Sequence, residues 1–204
     1  MSERNTVAHF LHDAGLAAWF GGSLMGAVGV NGAAADVDDP RQRSRVANAG
    51  WGRWTPVNAL AIGAHLFGGA QLLKENKGRV ATQQGVLANT NTKLGFTAAA
   101  LGATAYARVL GKKMQKAGDV PVAGGTNALA STPPEVAKAQ KQLSALQWAI
   151  PALTGGIIAS SALQEEQQRP SQVAGGVLKN LPATVSRAVS AAPSVAKQKL
   201  SDVS

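Results

Sequence analysis

Residues 14–35 carry no charged side chain: Ala-Gly-Leu-Ala-Ala-Trp-Phe-Gly-Gly-Ser-Leu-Met-Gly-Ala-Val-Gly-Val-Asn-Gly-Ala-Ala-Ala. Wound as a helix, such a stretch covers the ~30 Å hydrocarbon core of a bilayer. Comparable apolar stretches follow at about 56–73, 94–110 and 143–163. The sequence therefore predicts an all-α fold, a four-transmembrane-helix antiparallel bundle running up and down. Residues 1–13 read as a polar N-terminus, 14–163 as the membrane domain and 164–204 as a C-terminal tail.

Local signals set the expected boundaries. Phe10 and Leu11 extend the first helix back before its apolar run, and Asp36-Val37-Asp38-Asp39-Pro40 stops it, since proline disfavours helix at the residue before it. Ala33-Ala34-Ala35 resembles a small-residue cleavage site, but Glu3 and Asp13 and the length of the run favour a retained span over a cleaved signal. The following stretch, with Arg41, Arg43, Arg45 and Arg53, reads as a connector whose Trp51 and Trp54 sit at headgroup level. Thr55-Pro56 looks like a helix start. Residues 74–93 read as a polar loop and 117–131 as a second one. Thr132-Pro133-Pro134-Glu135 has capping-box spacing and opens the last helix, which Pro151 is expected to kink. In the tail, Val173, Val177, Leu181, Val185 and Val189 recur every fourth residue among Lys and Arg, the pattern of a basic interfacial helix; Pro182 and Pro193 argue equally for a disordered tail. No internal repeat is evident.

Composition limits the function classes. The net charge is +9, and no nucleic-acid-binding motif accompanies it, so the basic residues suit anionic lipid and not nucleic acid. Cysteine is absent, which removes disulfides, thiolate metal sites and cysteine nucleophiles. Aromatic residues make up only 4% while Ala and Gly abound, a composition that lets helix backbones approach closely. It is compatible with a GC-rich bacterium and hence with a multi-pass protein of the inner membrane. There is no phosphate-binding loop, zinc-protease motif or nucleophile elbow. No metal site is expected.

Polar residues recur within the later spans at a spacing of seven, one face of a helix. They are Asn58 and His65; Thr97 and Thr104, with Arg108 a turn further on; and Gln147, Thr154 and Ser161. Polar groups facing lipid are costly, so these lines are expected to face the bundle interior. His65, near the middle of its span, is the candidate for haem, metal or proton chemistry. The structural reading is a neutral imidazole bonded to a neighbouring helix, because no second histidine or carboxylate is expected at its depth. The Ser and Thr residues read as bonded to their own helix carbonyls.

His9, His12 and Asp13 stand at the start of the first span. His12 opens a His-x6-Trp-x-Gly-Gly pattern ending at Trp19, Gly21 and Gly22. This resembles the first helix of a broad set of four-span bacterial membrane proteins, among them CopD-like copper-resistance proteins and HemJ-type protoporphyrinogen oxidases. The resemblance implies that His12 is a haem ligand; as a residue met on its own, it reads as an interfacial side chain snorkelling beside Asp13.

The expected function is that of a non-enzymatic scaffold or accessory subunit of a membrane complex, with lipid, membrane-protein partners or further copies of the chain as its partners and no cofactor required. Two alternatives stay open: a haem- or metal-binding redox protein using His12 and His65, and a small transporter lined by Asn58, His65, Thr97, Thr104 and Gln147.

Overall fold

The computed structural model describes residues 5–75, 77 and 84–167. The expected basic tail from residue 168 lies outside the described residues. Residues 1–160 form one compact unit; of a second, 161–204, the described part is 161–167, the end of the last helix.

The fold is all-α. A helical path runs from Thr6 to Ala35 as α1 (Thr6–Met25), a π-helical turn (Gly26–Val30) and α2 (Asn31–Ala35). It is followed by α3 (Pro40–Glu75), α4 (Gln84–Ala117) and α5 (Pro134–Gln167). Between α4 and α5 lies a small antiparallel hairpin, β1 (Val122–Gly124) and β2 (Asn127–Ala128).

Several local expectations are corrected. Pro40 does not merely end the first helix; it opens α3, with the Asp39 carboxylate accepting a 3.0 Å hydrogen bond from the Arg41 N–H as an N-cap. The expected connector with Trp51 and Trp54 at headgroup level is instead the first half of α3. Pro56 lies inside that helix, and the Thr55 hydroxyl bonds back to the Trp51 carbonyl at 2.8 Å in place of capping a start. Packing explains the override. The two indoles fill notches on α1 and the π-helical turn, where a Cβ on Gly22 would fall 1.8 Å from Trp54 and one on Gly26 would fall 2.1 Å from Trp51. Burial on both sides of Pro56 outweighs the ~3 kcal/mol that proline costs within a helix. Thr132 does not form a capping box: its hydroxyl accepts from the Leu129 N–H and donates to the Pro121 carbonyl, closing the turn before α5.

α1 and α3 pack antiparallel at very short range. Gly15 meets the Ala61 carbonyl and His65 N–H, where a Cβ would sit 2.4 and 2.6 Å away. Gly68 meets the Ala8 carbonyl and His12 N–H with the same two distances. The two contacts are related by a local two-fold axis. Each places a glycine Cα–H against a carbonyl of the opposite helix, a weak hydrogen bond that recurs at close helix crossings. The pairing staggers the apolar stretches. The end of the first one, with Gly26 and Val30, lies beside Trp51 and Gly50, and so against the arginine-bearing half of α3. An uncharged band common to α1 and α3 spans roughly ten residues, about 15 Å.

α5 runs antiparallel to α4, with Phe96 on Gly156 and the Asn89 amide donating to the Ser160 carbonyl at 3.1 Å. One cluster gathers Trp19, Ala100 and Ile150 from α1, α4 and α5; another joins Leu110 and Met114 of α4 to Val136 and Ala139 of α5.

The loop expected at 117–131 is an ordered cap. Gly118, at φ +73°, ends α4 in the left-handed conformation. Val122 is fully buried, and Gly125 sits on Asn31 and Ala47. Arg43 donates to the Val37 carbonyl at 2.7 Å and the Ala123 carbonyl at 3.3 Å; Gln140 donates to the Gly124 carbonyl at 2.9 Å. Arg45 pairs with Asp119 at the surface, and that hydrogen bond lowers the pKa of the Asp119 carboxyl below its ordinary value.

The cap marks a basic end. Arg41, Arg43, Arg45 and Arg53 of α3 lie there, with Arg108, Lys112, Lys113 and Lys116 of α4. Lys138 and Lys141 of α5 complete it, against the acids Asp36, Asp38, Asp39, Asp119 and Glu135. The opposite end carries a mixed set: Asp13, Lys74, Glu75 and Lys93.

Among the described residues one helix, in its portion Pro134–Leu163, is long and apolar enough to cross a membrane, at a mean hydropathy of 1.3.

The glycine contacts are testable. Gly15→Ala forces a methyl into a backbone carbonyl and is expected to cost about 1–3 kcal/mol in a reversible denaturation series. Gly21→Ala, with nothing within 4 Å of the new methyl, is expected to be neutral or to gain up to about 1 kcal/mol from helix propensity. Equal effects of the two changes contradict the α1–α3 contact.

Candidate functional site

The crossing of α1 and α3 brings His12 and His65 face to face. Their ring centroids are 4.1 Å apart and their planes 19° apart. Nδ1 of His12 lies 3.0 Å from the His65 carbonyl oxygen, and Nδ1 of His65 lies 3.0 Å from the His12 carbonyl oxygen. A carbonyl only accepts, so Nδ1 is the protonated nitrogen on both rings and, in the neutral imidazole, Nε2 carries the lone pair. The same two-fold axis that relates Gly15 to Gly68 relates the two rings. His12 rests on Gly69, where a Cβ would lie 2.9 Å from Nδ1.

The expectation that no histidine matches the depth of His65 is therefore corrected. α1 begins at Thr6, well before its apolar stretch, and the staggered register carries His12 opposite His65. A sequence signal was present in the spacing Ala8-x3-His12-x2-Gly15, which recurs as Ala61-x3-His65-x2-Gly68. This internal repeat is far shorter than the ~20 or more residues of a structural repeat unit. Gly15, Gly68 and Gly69 are the members that reading the histidines alone missed.

Trp19 ties the pair to the rest of the interior. It is fully buried, meets His65 edge-on at 6.3 Å, and donates from Nε1 to the Thr104 hydroxyl at 3.2 Å. His65 is 2% exposed, so its face is closed off by protein.

The other candidate residues separate into two groups. Thr104 joins the histidines through Trp19, and Asn58 lies two turns before His65 on α3; both are half-buried. The Asn58 Oδ1 and the Trp54 Nε1 one turn earlier are buried without a hydrogen-bond partner among the described residues. At the capped end Gln147 accepts from the Asn31 amide at 2.6 Å and, more distantly, from the Thr126 hydroxyl at 3.5 Å; Trp51 donates to Asn31 at 3.0 Å. The π-helical turn delivers Asn31, which no sequence signal singled out, into this cluster. Thr97 and Thr154 bond carbonyls of their own helices, Lys93 at 2.8 Å and Ile150 at 2.9 Å. Arg108 and Ser161 are half-buried.

The stacked geometry decides what chemistry the pair supports. A metal bound by imidazole lies in the plane of the ring, on the nitrogen lone pair. Two nearly parallel rings 4.1 Å apart face to face cannot direct their Nε2 lone pairs at one ion. Shared haem or metal ligation by His12 and His65 does not fit this arrangement. Among the described residues no group of three His, Cys, Asp or Glu side chains is placed to hold a metal ion. What the pair does is join two helices through reciprocal side-chain-to-backbone hydrogen bonds and ring contact.

Substitution separates these contributions. His65→Phe keeps a ring and removes one hydrogen bond; it is expected to cost about 0.5–1.5 kcal/mol. His65→Ala also opens a cavity beside Trp19 and is expected to cost about 2–4 kcal/mol. Thermal and denaturant melts of both variants check the order, and a smaller loss for Ala than for Phe contradicts it.

No family model, curated protein or solved structure matches the chain.

Proposed function

We propose that the protein is a multi-pass helical membrane protein that serves as a non-enzymatic scaffold or accessory subunit of a membrane complex. One observation carries this reading: many large apolar side chains point outward, while small and polar residues share the interior with apolar clusters around Trp19 and Met114. Leu60 is 76% exposed and Phe10 67%, and Phe67, Leu94, Val109 and Trp148 are exposed with them. The buried positions hold Ala8, Ala27, Ala47, Ala61 and Ala100 together with Ser23, His65, Gln140 and Thr154. In water this distribution wastes the hydrophobic effect, whereas in lipid it is the favourable one. The apolar helix α5 supplies the membrane anchor, and it packs on α1 and α4 through Ile150, Val136 and Ala139. Arg53 and Arg108 border the uncharged band towards the capped end and reach the interface by snorkelling. The concentration of Lys and Arg at that end supports a cytoplasmic side there by the positive-inside rule, in a bacterial inner membrane.

The scaffold role rests on what the interior groups do. His12, His65, Trp19 and Thr104 bond helix to helix, and Asn31, Gln147 and Trp51 do the same at the cap. These contacts hold the chain together.

Because the chain has no cysteine, single cysteines can be introduced and spin-labelled. Labels at Leu60 and Leu94 in reconstituted vesicles are expected to collide with oxygen and to be shielded from a water-soluble nickel chelate. A label at Asp38 is expected to show the reverse. Nickel access at Leu60 and Leu94 equal to that at Asp38 refutes membrane embedding. The visible spectrum of the purified protein tests the cofactor alternative: a Soret band lost in His12→Ala would restore a haem-protein reading in place of the scaffold.

A further inference from the structure

The outward stripe of α5 changes character along its length. Lys138 and Lys141 come first, then Ala145, then the exposed Trp148, then Ala152, each three or four residues from the last. Beside this stripe the cap hairpin leaves an open groove of about 500 Å³, lined by Asn127 and Ala128 of β2, Thr126, and Lys141, Ser144 and Ala145 of α5. Its polar groups include the Lys141 ammonium, the Ser144 hydroxyl and the Asn127 side-chain amide, all hydrogen-bond donors. One turn further along α5 the surface becomes apolar at Trp148, 53% exposed. An ammonium and small donors above an interfacial indole, on a helix entering lipid, match a phosphate above acyl chains.

We propose that this groove binds the headgroup phosphate of an anionic phospholipid, with Lys141 as the charged contact, Ser144 and Asn127 as neutral donors, and an acyl chain lying along Trp148. The inference rests on the membrane reading above. The surrounding charge supports it, since Lys138 and the α4 lysines Lys112, Lys113 and Lys116 share this end of the molecule. A general surface potential attracts all anionic lipid to this end. The groove adds a position at which one headgroup is held.

The test uses the full chain in vesicles doped with brominated phosphatidylglycerol or brominated phosphatidylcholine at equal mole fraction. Tryptophan quenching reports which lipid lies beside Trp148, and Trp148→Phe identifies its component. The wild type is expected to prefer the glycerol lipid by roughly fivefold, the scale of one Lys–headgroup contact. Lys141→Gln is expected to bring the preference close to one, Ser144→Ala to lower it in part, and Lys138→Gln, outside the groove, to leave it in place. Equal quenching by the two lipids in wild type, or an equal loss in Lys138→Gln and Lys141→Gln, overturns the site while leaving the membrane reading intact. Absence of quenching by either lipid overturns the membrane reading as well. Loss of the preference on adding soluble glycerol phosphate assigns the groove to a free phosphate ester and overturns the lipid.

Discussion

The packing of this protein depends on how closely α1 and α3 approach. Glycine at 15 and 68 brings backbone against backbone, and only at that separation do two imidazoles stack while each reaches the opposite carbonyl. The order of causes runs from missing side chains to short distance to hydrogen bonds. A methyl at either glycine pushes the helices apart and strands both histidine N–H groups together. The same device continues along the crossing, where Gly22 and Gly26 receive the indoles of Trp54 and Trp51. On the proposed membrane reading there is no hydrophobic gain from bringing helices together, so close packing and hydrogen bonds must hold them. The α1–α3 pair supplies both.

From this pair the rest of the interior is organised outward. Trp19 carries the contact to α4 through Thr104 and shares a cluster with Ile150 of α5. At the other end, the π-helical turn after Met25 rotates Asn31 inward, where Trp51, Gln147 and the hairpin meet it. The hairpin is thus seated on a polar junction of three helices. Its position leaves the groove beside Lys141 at the level where α5 passes from basic to apolar surface.

Helix content was legible from uncharged runs, and α5 in particular from its length and hydropathy. Boundaries were less so, because proline, glycine and tryptophan carry two meanings each. Thr55-Pro56 has the form of a helix start, yet tertiary burial of Trp51 and Trp54 keeps one helix running through it. The tryptophans have the form of an interfacial ring, yet glycines on another helix 25 or more residues away make room for them inside. The polar residues at sevenfold spacing were readable one helix at a time; their partners were not, since the register between α1 and α3 follows from glycine positions and not from aligning apolar stretches. His12 and His65 could both be named from sequence, but their meeting required knowing that α1 extends back to Thr6 and that the spacing Ala-x3-His-x2-Gly is self-complementary. The hairpin lay below any pattern signal, since Val122 is the only large apolar residue it buries.

The stacked pair makes one demand that no other arrangement of these side chains makes. The carbonyls as placed here accept a hydrogen bond only from Nδ1, so both rings must carry a hydrogen on Nδ1 and must lie in contact. Nitrogen-15 NMR of histidine-labelled protein in bilayers reads this directly. The account predicts an Nδ1–H on both His12 and His65, with magnetisation transfer between the rings. An Nε2–H tautomer at either residue, or the absence of ring-to-ring transfer, contradicts it.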